Sequence, residues 1–359
     1  MPNQKQNLRI LIVRLGAMGD ILHALPAVTA LRAELPESWI GWAVEPQWSA
    51  LLQAGTMTES SGHSLQMPVV NQLHLVPAKR WARAPLQAAI SGEIAAIRRA
   101  LRADQYDVCV DLQGAVRSAW IGRMAGAARM IGEAEPRERI ARWFFSERIQ
   151  TQGRHVVEQA REVTNAVLHA SLPLLPAALP HDRIAEQWCQ LWLEEHKIER
   201  FILMNPGAGW GAKCWPAARY GQVAQELWHK GYSTVVNAGP GEEGLAQQVC
   251  AASEGHAIPM TGSVGQLIAC TRRASLFLGG DTGPLHLAAA LQRPVVGIYG
   301  PTDPARNGPF ETRARVLRHP ESKRDHTRHK EPEAGLLTIS VEEVLQAIQE
   351  LLKDEEISA

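Results

Sequence analysis

Three times along this chain a short aliphatic run stops at a glycine-rich turn and opens into a helical pattern, around residues 8–20, 201–217 and 274–290. A run that short and apolar on both faces reads as a strand buried in a parallel sheet, with the helix after it as the crossover connection. Further strands are predicted at 40–44, 72–76 and 106–111. A helix spans 21–35, and another carries Ile90, Ile94, Ile97 and Leu101 along one face. A helical stretch around 155–169 leads into a proline-interrupted segment at 172–179, after which the alternation restarts. Strands are then predicted at 201–205, 233–237, 274–279 and 294–298, with a helix at 217–230. Strand–helix alternation specifies parallel sheets with helices on both faces, and ligands bind at the carboxyl ends of such strands.

A length of 359 residues suits two domains. The expected division is a first domain at 1–171, a linker at 172–182 and a second domain at 183–340. An amphipathic C-terminal helix at 341–359 is expected to fold back over the first domain. Residues 55–67, polar and rich in small side chains, read as a mobile loop. Hydrophobic residues at 45% and charged residues at 21% exclude global disorder. Thirty-seven basic residues balance 37 acidic ones, against the basic excess of a nucleic-acid binder. The five cysteines are dispersed and never spaced C-x-x-C, which excludes a zinc ribbon, disfavours a disulfide scaffold and suits a reducing cytoplasm. No apolar run approaches the ~18–20 residues of a membrane span. The apolar stretch from Ile10 stops at Arg14, too short for an export signal.

The chemistry concentrates in three loops. The first runs from Arg14 through Gly16 and Gly19 to Asp20 and then into a helix whose N-terminus attracts an anion or a carboxylate. It is not G-x-G-x-x-G, and no ribose-binding acid follows the second strand at the expected spacing, so a nicotinamide site is disfavoured. Asp20 is a helix cap or a functional carboxylate. The second loop, 205–216, places Gly207, Ala208, Gly209 and Gly211 beside Lys213, a combination suited to a phosphate, although an ordinary glycine turn has the same composition. It lacks the G-K-[ST] ending of a nucleotide P-loop. The third, from Gly279 to Ala290, holds Asp281 and Thr282 as candidate caps, Gly283 for close ligand approach, Pro284 for the first turn, and His286 as a structural or ligand-facing side chain.

With these motifs in view, the sequence resembles the ADP-heptose lipopolysaccharide heptosyltransferases of glycosyltransferase family 9. The resemblance rests on ILIVRLGAMGDILHALPAV near the start, VDLQGAVRSA at 110–119, NPGAGWGAKCWP at 205–216 and GGDTGPLHLAAALQRPVVGIYGPTDP at 279–304. It implies a GT-B fold, with two Rossmann-like doubly wound domains facing a central cleft, the acceptor on the first and the nucleotide-sugar on the second. The implied reaction is inverting transfer of L-glycero-D-manno-heptose from ADP-heptose to the inner core of lipid A. Asp20 then matches the catalytic base and Lys213 the lysine that neutralises the donor diphosphate. Gly207, Ala208, Gly209, Asp281, Thr282, Gly283 and His286 fall in the donor loops. Glu242 fits the ribose-binding acid better than Glu243. Gly19 and Gln113 fall in the acceptor loops. No Asp-x-Asp triplet occurs, so no metal–diphosphate clamp and no other cofactor is expected.

Two basic clusters remain, Lys79-Arg80-Trp81-Ala-Arg83 ahead of a helix, and Arg137 with Arg139 and Arg142. A charge cluster is ordinarily a solvated face. Here the first cluster, Arg137 and the segment from His155 to Glu158 resemble the type I enzymes, which add the first heptose to Kdo-lipid A, an acceptor whose carboxylates and phosphates suit guanidinium groups. That implies an enzyme on the cytoplasmic face of the inner membrane, in peripheral contact with anionic lipid. Addition of the second heptose or another sugar, and a non-catalytic nucleotide-sugar or lipid A binder, are the competing readings. The family's cysteines before the last helix are missing. Residues 319–335, polar and carrying His319, His326 and His329, are expected to form a disordered surface loop without a metal.

Overall fold

The computed structural model describes residues 7–55, 64–83, 88–325, 329 and 331–358. The chain divides into two compact units, Met1–His181 and Asp182–Ala359. In the first, β1 (Arg9–Val13), β2 (Trp39–Val44), β3 (Gln72–Leu75), β4 (Val108–Asp111), β5 (Arg129–Glu133) and β6 (Glu147–Ile149) form one parallel sheet of order β3-β2-β1-β4-β5-β6. Ile10 to Val13 are wholly buried because helices cover both faces of β1. The strand order reverses where β1 pairs with β2 on one side and β4 on the other, so the loops leaving β1 and β4 part there and open a crevice at the carboxyl edge. The loop expected at 55–67 lies mostly outside the described residues.

The second unit repeats the plan. Its strands are β7 (Phe201–Asn205), β8 (Ser233–Ala238), β9 (Ala257–Thr261), β10 (Leu276–Gly280), β11 (Val295–Tyr299) and β12 (Ala314–Arg318). They are ordered β12-β11-β10-β7-β8-β9, all parallel, with the reversal between β7 and β10. Both sheets therefore have the Rossmann order, and two such α/β units are what the resemblance to a GT-B fold implies. No helix or strand lies between Asn165 and Arg183. Within that stretch the Ala178 N–H donates to Thr29 Oγ1 (3.2 Å) and the His181 N–H to Leu65 O (2.8 Å).

The last helix, Val341–Ser358, corrects the expectation that it folds back over the first domain. Its apolar stripe of Val344, Ala347, Ile348, Leu351 and Leu352 is buried in the second unit's core, with Leu276, Leu278, Val296 and Ile298 of β10 and β11. A stripe at that helical spacing matches the outer face of this sheet. The polar segment before it corrects a second expectation. Residues 326–328 and 330, with His326, lie outside the described residues, but several of its other groups are engaged. The Asp325 N–H donates to Pro301 O (3.0 Å), Ser322 Oγ donates to Glu333 (3.0 Å), and Glu333 caps the helix Ala334–Thr338. Ala212 meets it with both backbone groups, its N–H donating to His329 O (3.1 Å) and its carbonyl accepting from the Glu333 N–H (3.3 Å).

Candidate active site

The helix after β1 begins at Met18, so Gly19 lies in its first turn and Asp20 is its third residue, not the cap position. Asp20 Oδ2 accepts from the Ala17 N–H (3.0 Å), and Oδ1 lies 2.8 Å from the Arg14 guanidinium. The carboxylate thus satisfies a helix-start donor and stays 41% exposed at the sheet edge. Arg14 also donates to the Leu112 carbonyl, which ties the loop after β1 to the loop after β4. Gln113 makes a second tie, its Oε1 accepting from the Leu15 N–H (2.8 Å).

Behind Gln113, Asp111 ends β4 in full burial. Its Oδ1 accepts the N–H groups of Gln113 (2.8 Å) and Gly114 (2.9 Å), and Oδ2 accepts from Ser118 Oγ (2.9 Å). Burial outweighs these donors and pushes its carboxyl up to about 6. A folded-state value above the unfolded one means that the folded form holds the proton while the unfolded form has lost it. The stability this carboxyl contributes is then greatest below about pH 4 and is lost as pH rises through 6, by up to about 3 kcal/mol. Asp111→Asn is expected to abolish that fall between pH 4 and 7. Thermal melts across the range check it, and an unchanged pH slope in the variant would contradict the assignment.

The basic clusters are partly engaged. Lys79, Arg80 and Arg83 are exposed and sit on a short helix, Ala78–Arg83, where the sequence placed them ahead of one. The Lys79 N–H donates to buried Glu45 at the end of β2 (2.8 Å), and the Glu45 N–H donates to Leu15 O (3.0 Å), so Lys79 borders the Asp20 loop. Arg80 is ion-paired with Glu93, which also accepts from Trp81 Nε1 (3.0 Å). Arg137 is exposed, with its backbone N–H against Gly114, where an added Cβ would come within 3.1 Å of it. His155 caps the helix Val156–Asn165, accepting from the Val157 N–H (3.2 Å), while Glu158 accepts from the His155 N–H (2.9 Å). The structure gives this pair a capping role.

In the second unit the glycine-rich loops converge on one cation. Lys213 Nζ lies 2.6 Å from Asp281 Oδ2 and 4.7 Å from the Trp210 ring centroid, and it donates to the Asp281 carbonyl (3.2 Å). The His286 ring nitrogen Nε2 lies 3.0 Å from Asp281 Oδ1. Burial works against the Asp281 charge, but the His286 ring and the Lys213 ammonium outweigh it and hold the carboxyl far below the usual carboxylate range. Gly280 lets this form, because a Cβ there would stand 3.0 Å from the Lys213 carbonyl. Thr282 occupies the cap position of the helix Gly283–Ala290 without a side-chain cap bond, its Oγ1 donating to Gly280 O (3.2 Å).

The Glu242 carboxylate rests on Gly207, where a Cβ would approach it to 2.3 Å, and accepts from the Gly239 N–H (3.0 Å). Glu243 is exposed and accepts from the Gly241 N–H (3.2 Å), so Glu242 is the acid that meets the 205–209 turn. Ala208 is half-buried, and an added Cβ on exposed Gly209 would meet nothing within 4 Å. Sequence reasoning gave no role to Arg14, Asp111, Asn205 or Asn237. Asn237 donates to Asn205 Oδ1 (2.6 Å), and Asn205 Nδ2 donates to Gly207 O (2.8 Å), which fixes the glycine turn. The signal was present for Asp111 and Asn205, polar residues that end otherwise apolar strands. Among the described residues no group of three His, Cys, Asp or Glu could hold a metal ion, and no helix is long and apolar enough to cross a membrane.

Comparison with known proteins bears on this geometry. Lipopolysaccharide heptosyltransferase 1 of Escherichia coli K12 is 30% identical over 321 residues, covering 87% of this chain and 94% of that protein. Lipopolysaccharide heptosyltransferase 1 of Pseudomonas aeruginosa is 27% identical over 307 residues, covering 84% and 81%. The solved structure of E. coli heptosyltransferase WaaC with ADP-2-deoxy-2-fluoro heptose matches with a TM-score of 0.75 at 26% identity, over 96% of this chain and 99% of that one. The model of glycosyltransferase family 9 (heptosyltransferase) matches residues 94–337, more than half of the chain. The two Rossmann-type sheets, the cation-bearing glycine loops of the second and these matches place the chain in glycosyltransferase family 9, as a heptosyltransferase of lipopolysaccharide core synthesis.

Proposed function

We propose that this heptosyltransferase moves L-glycero-D-manno-heptose from ADP-heptose to Kdo of Kdo-lipid A, with inversion at the transferred carbon. The acceptor hydroxyl oxygen attacks heptose C1, the bond from C1 to the β-phosphate oxygen breaks, ADP departs, and Asp20 takes the hydroxyl proton. The observation that carries this reading is the Lys213 ammonium, fixed by buried Asp281 at the switch point of the second sheet beside an open glycine turn. A preorganised cation there stabilises the charge that builds on departing diphosphate without a metal, a role backbone N–H groups of Gly207, Ala208, Gly209, Thr282 and Gly283 would share. Glu242 is the proposed partner of the ribose hydroxyls, and the WaaC complex with a fluoro analogue of ADP-heptose supports the donor.

In the first unit, Gly19, Gln113, Lys79, Arg80, Arg83 and Arg137 are the proposed acceptor contacts. Arg80 must then exchange Glu93 for an acceptor anion, whereas Lys79 and Arg137 flank the Asp20 loop. We place the enzyme at the cytoplasmic face of the inner membrane, in peripheral contact. The test is an ADP-release assay with ADP-heptose, comparing Kdo-lipid A with its heptosylated product. Turnover on the first alone is expected. Turnover on the second alone would assign addition of the second heptose, and binding of both ligands without ADP release would leave a non-catalytic binder.

A further inference from the structure

We propose that Ile140 and Trp143, set among Arg139, Arg142 and Arg148, form the surface by which the first unit docks on an anionic lipid bilayer. The segment 139–144 is a tight 3-10 turn between β5 and β6. Ala141 and Phe145 anchor it inward, both buried in the first unit's core, and that periodicity leaves Ile140 and Trp143 outward, 64% and 68% exposed. Side chains three apart on a 3-10 turn stand one above the other, so Ile140 and Trp143 form one exposed apolar patch and not two scattered side chains. Here the Arg142 and Arg148 guanidinium carbons stand 5.1 and 5.5 Å from the Trp143 ring centroid, and Arg148 Nε donates to the Arg142 carbonyl (3.1 Å). Two neighbouring carboxylates, Glu138 and Glu147, are engaged by other groups. Glu138 accepts from the Val116 N–H (2.8 Å), and Glu147 pairs with Arg129 at 2.6 Å. The face therefore presents an indole and an isoleucine ringed by positive charge.

That combination fits the headgroup layer of a bilayer. An indole ring prefers interfacial depth, and guanidinium groups beside it reach lipid phosphates while an apolar neighbour enters the acyl boundary. Two apolar side chains ringed by cations are too few for the apolar core of a stable protein interface, which buries about 1,200–2,000 Å². Because the chain has no net charge, attraction to an anionic surface has to be local. The turn also borders the site, since Arg137 just before it lies against Gly114, next to Gln113. A lipid-linked acceptor held in the bilayer would thus meet the edge that carries Asp20. That consequence rests on the proposed function, whereas the docking surface itself does not.

Vesicle co-sedimentation separates the two. Wild-type protein is expected to bind vesicles of phosphatidylethanolamine and phosphatidylglycerol, to release them in high salt, and to bind phosphatidylcholine vesicles poorly. Arg139→Gln with Arg142→Gln should weaken the binding about twenty-five-fold, at about five-fold for each basic group. Ile140→Ser with Trp143→Ala should weaken it about ten-fold, with an unchanged melt and unchanged turnover on a deacylated, water-soluble acceptor. Equal binding to neutral vesicles, or full binding by both double variants, would overturn the proposal. So would light scattering that showed a wild-type dimer becoming monomeric in Ile140→Ser/Trp143→Ala with vesicle binding intact, which would make the face an interface between copies. Loss of all transferase activity in wild type with vesicle binding retained would count against the proposed reaction and leave the surface standing.

Discussion

Asparagine in place of Asp20 is expected to lower kcat by about 10²–10⁴, the span that general-base removal produces, while ADP-heptose still binds. The substitution is nearly isosteric. Its amide oxygen still accepts the Ala17 N–H that Asp20 Oδ2 now takes at 3.0 Å, so the helix start survives. What disappears is the carboxylate's capacity to take a proton and its pairing with Arg14 at 2.8 Å. With Asp20 41% exposed, solvent screens that pair, and its loss should cost no more than about 1 kcal/mol. A thermal melt close to wild type with a collapsed kcat therefore isolates the chemical role. Near-normal turnover in Asp20→Asn would reduce the residue to the helix-start group that its geometry also makes it. Arg14 then needs its own reading, because it bridges Asp20 to the Leu112 carbonyl and so sets the carboxylate's direction.

Most interior strands were legible because burial on both faces leaves unbroken apolar runs, as in Phe201–Asn205, where predicted and observed bounds coincide. Arg129–Glu133 was missed, because its charged ends leave only Met130 and Ile131 as an apolar run. The edges were not. Residues 147–149 are only three and include Glu147 and Arg148, Ala257–Thr261 contains Pro259, and Ala314–Arg318 carries two arginines. Edge strands bear charge and proline because one side of their backbone faces solvent, so the apolar signal that defines interior strands is absent. The same limit applies to the site. Gly207, Gly280 and Lys213 lie in contiguous motifs and could be read as a loop, but the pairing of Lys213 with Asp281 joins residues 68 positions apart. Spacing carries no trace of such a contact. Nor did polarity reveal that residues 319–335 reach Ala212, one position before Lys213, because hydrogen bonds to backbone leave no side-chain pattern.

Removing the Lys213 ammonium tests the donor half of the mechanism, and the expected loss is about 10²–10³ in kcat/KM for ADP-heptose, as for deletion of a preorganised donor to a developing anion. Lys213→Met also strips Asp281 of a partner at 2.6 Å in a site where both groups are largely buried. A stability cost of about 3 kcal/mol is expected from leaving that carboxylate short of compensation. The two effects separate in a second variant. Adding Asp281→Asn removes the orphaned charge and keeps an oxygen for His286, so the melting temperature should recover while donor use stays low. Recovery of both would mean that Lys213 serves only to neutralise Asp281. The acid limb gives an independent check of the sign. Because the Asp281 carboxyl is held far below its usual range, the pairing contributes stability above the unfolded-state value near pH 4 and loses it as pH falls further. The gap between wild type and Lys213→Met should therefore start to close only below about pH 4. Activity is expected to persist in chelator. If EDTA abolished turnover and magnesium restored it, the ammonium would not be the group that carries the diphosphate charge.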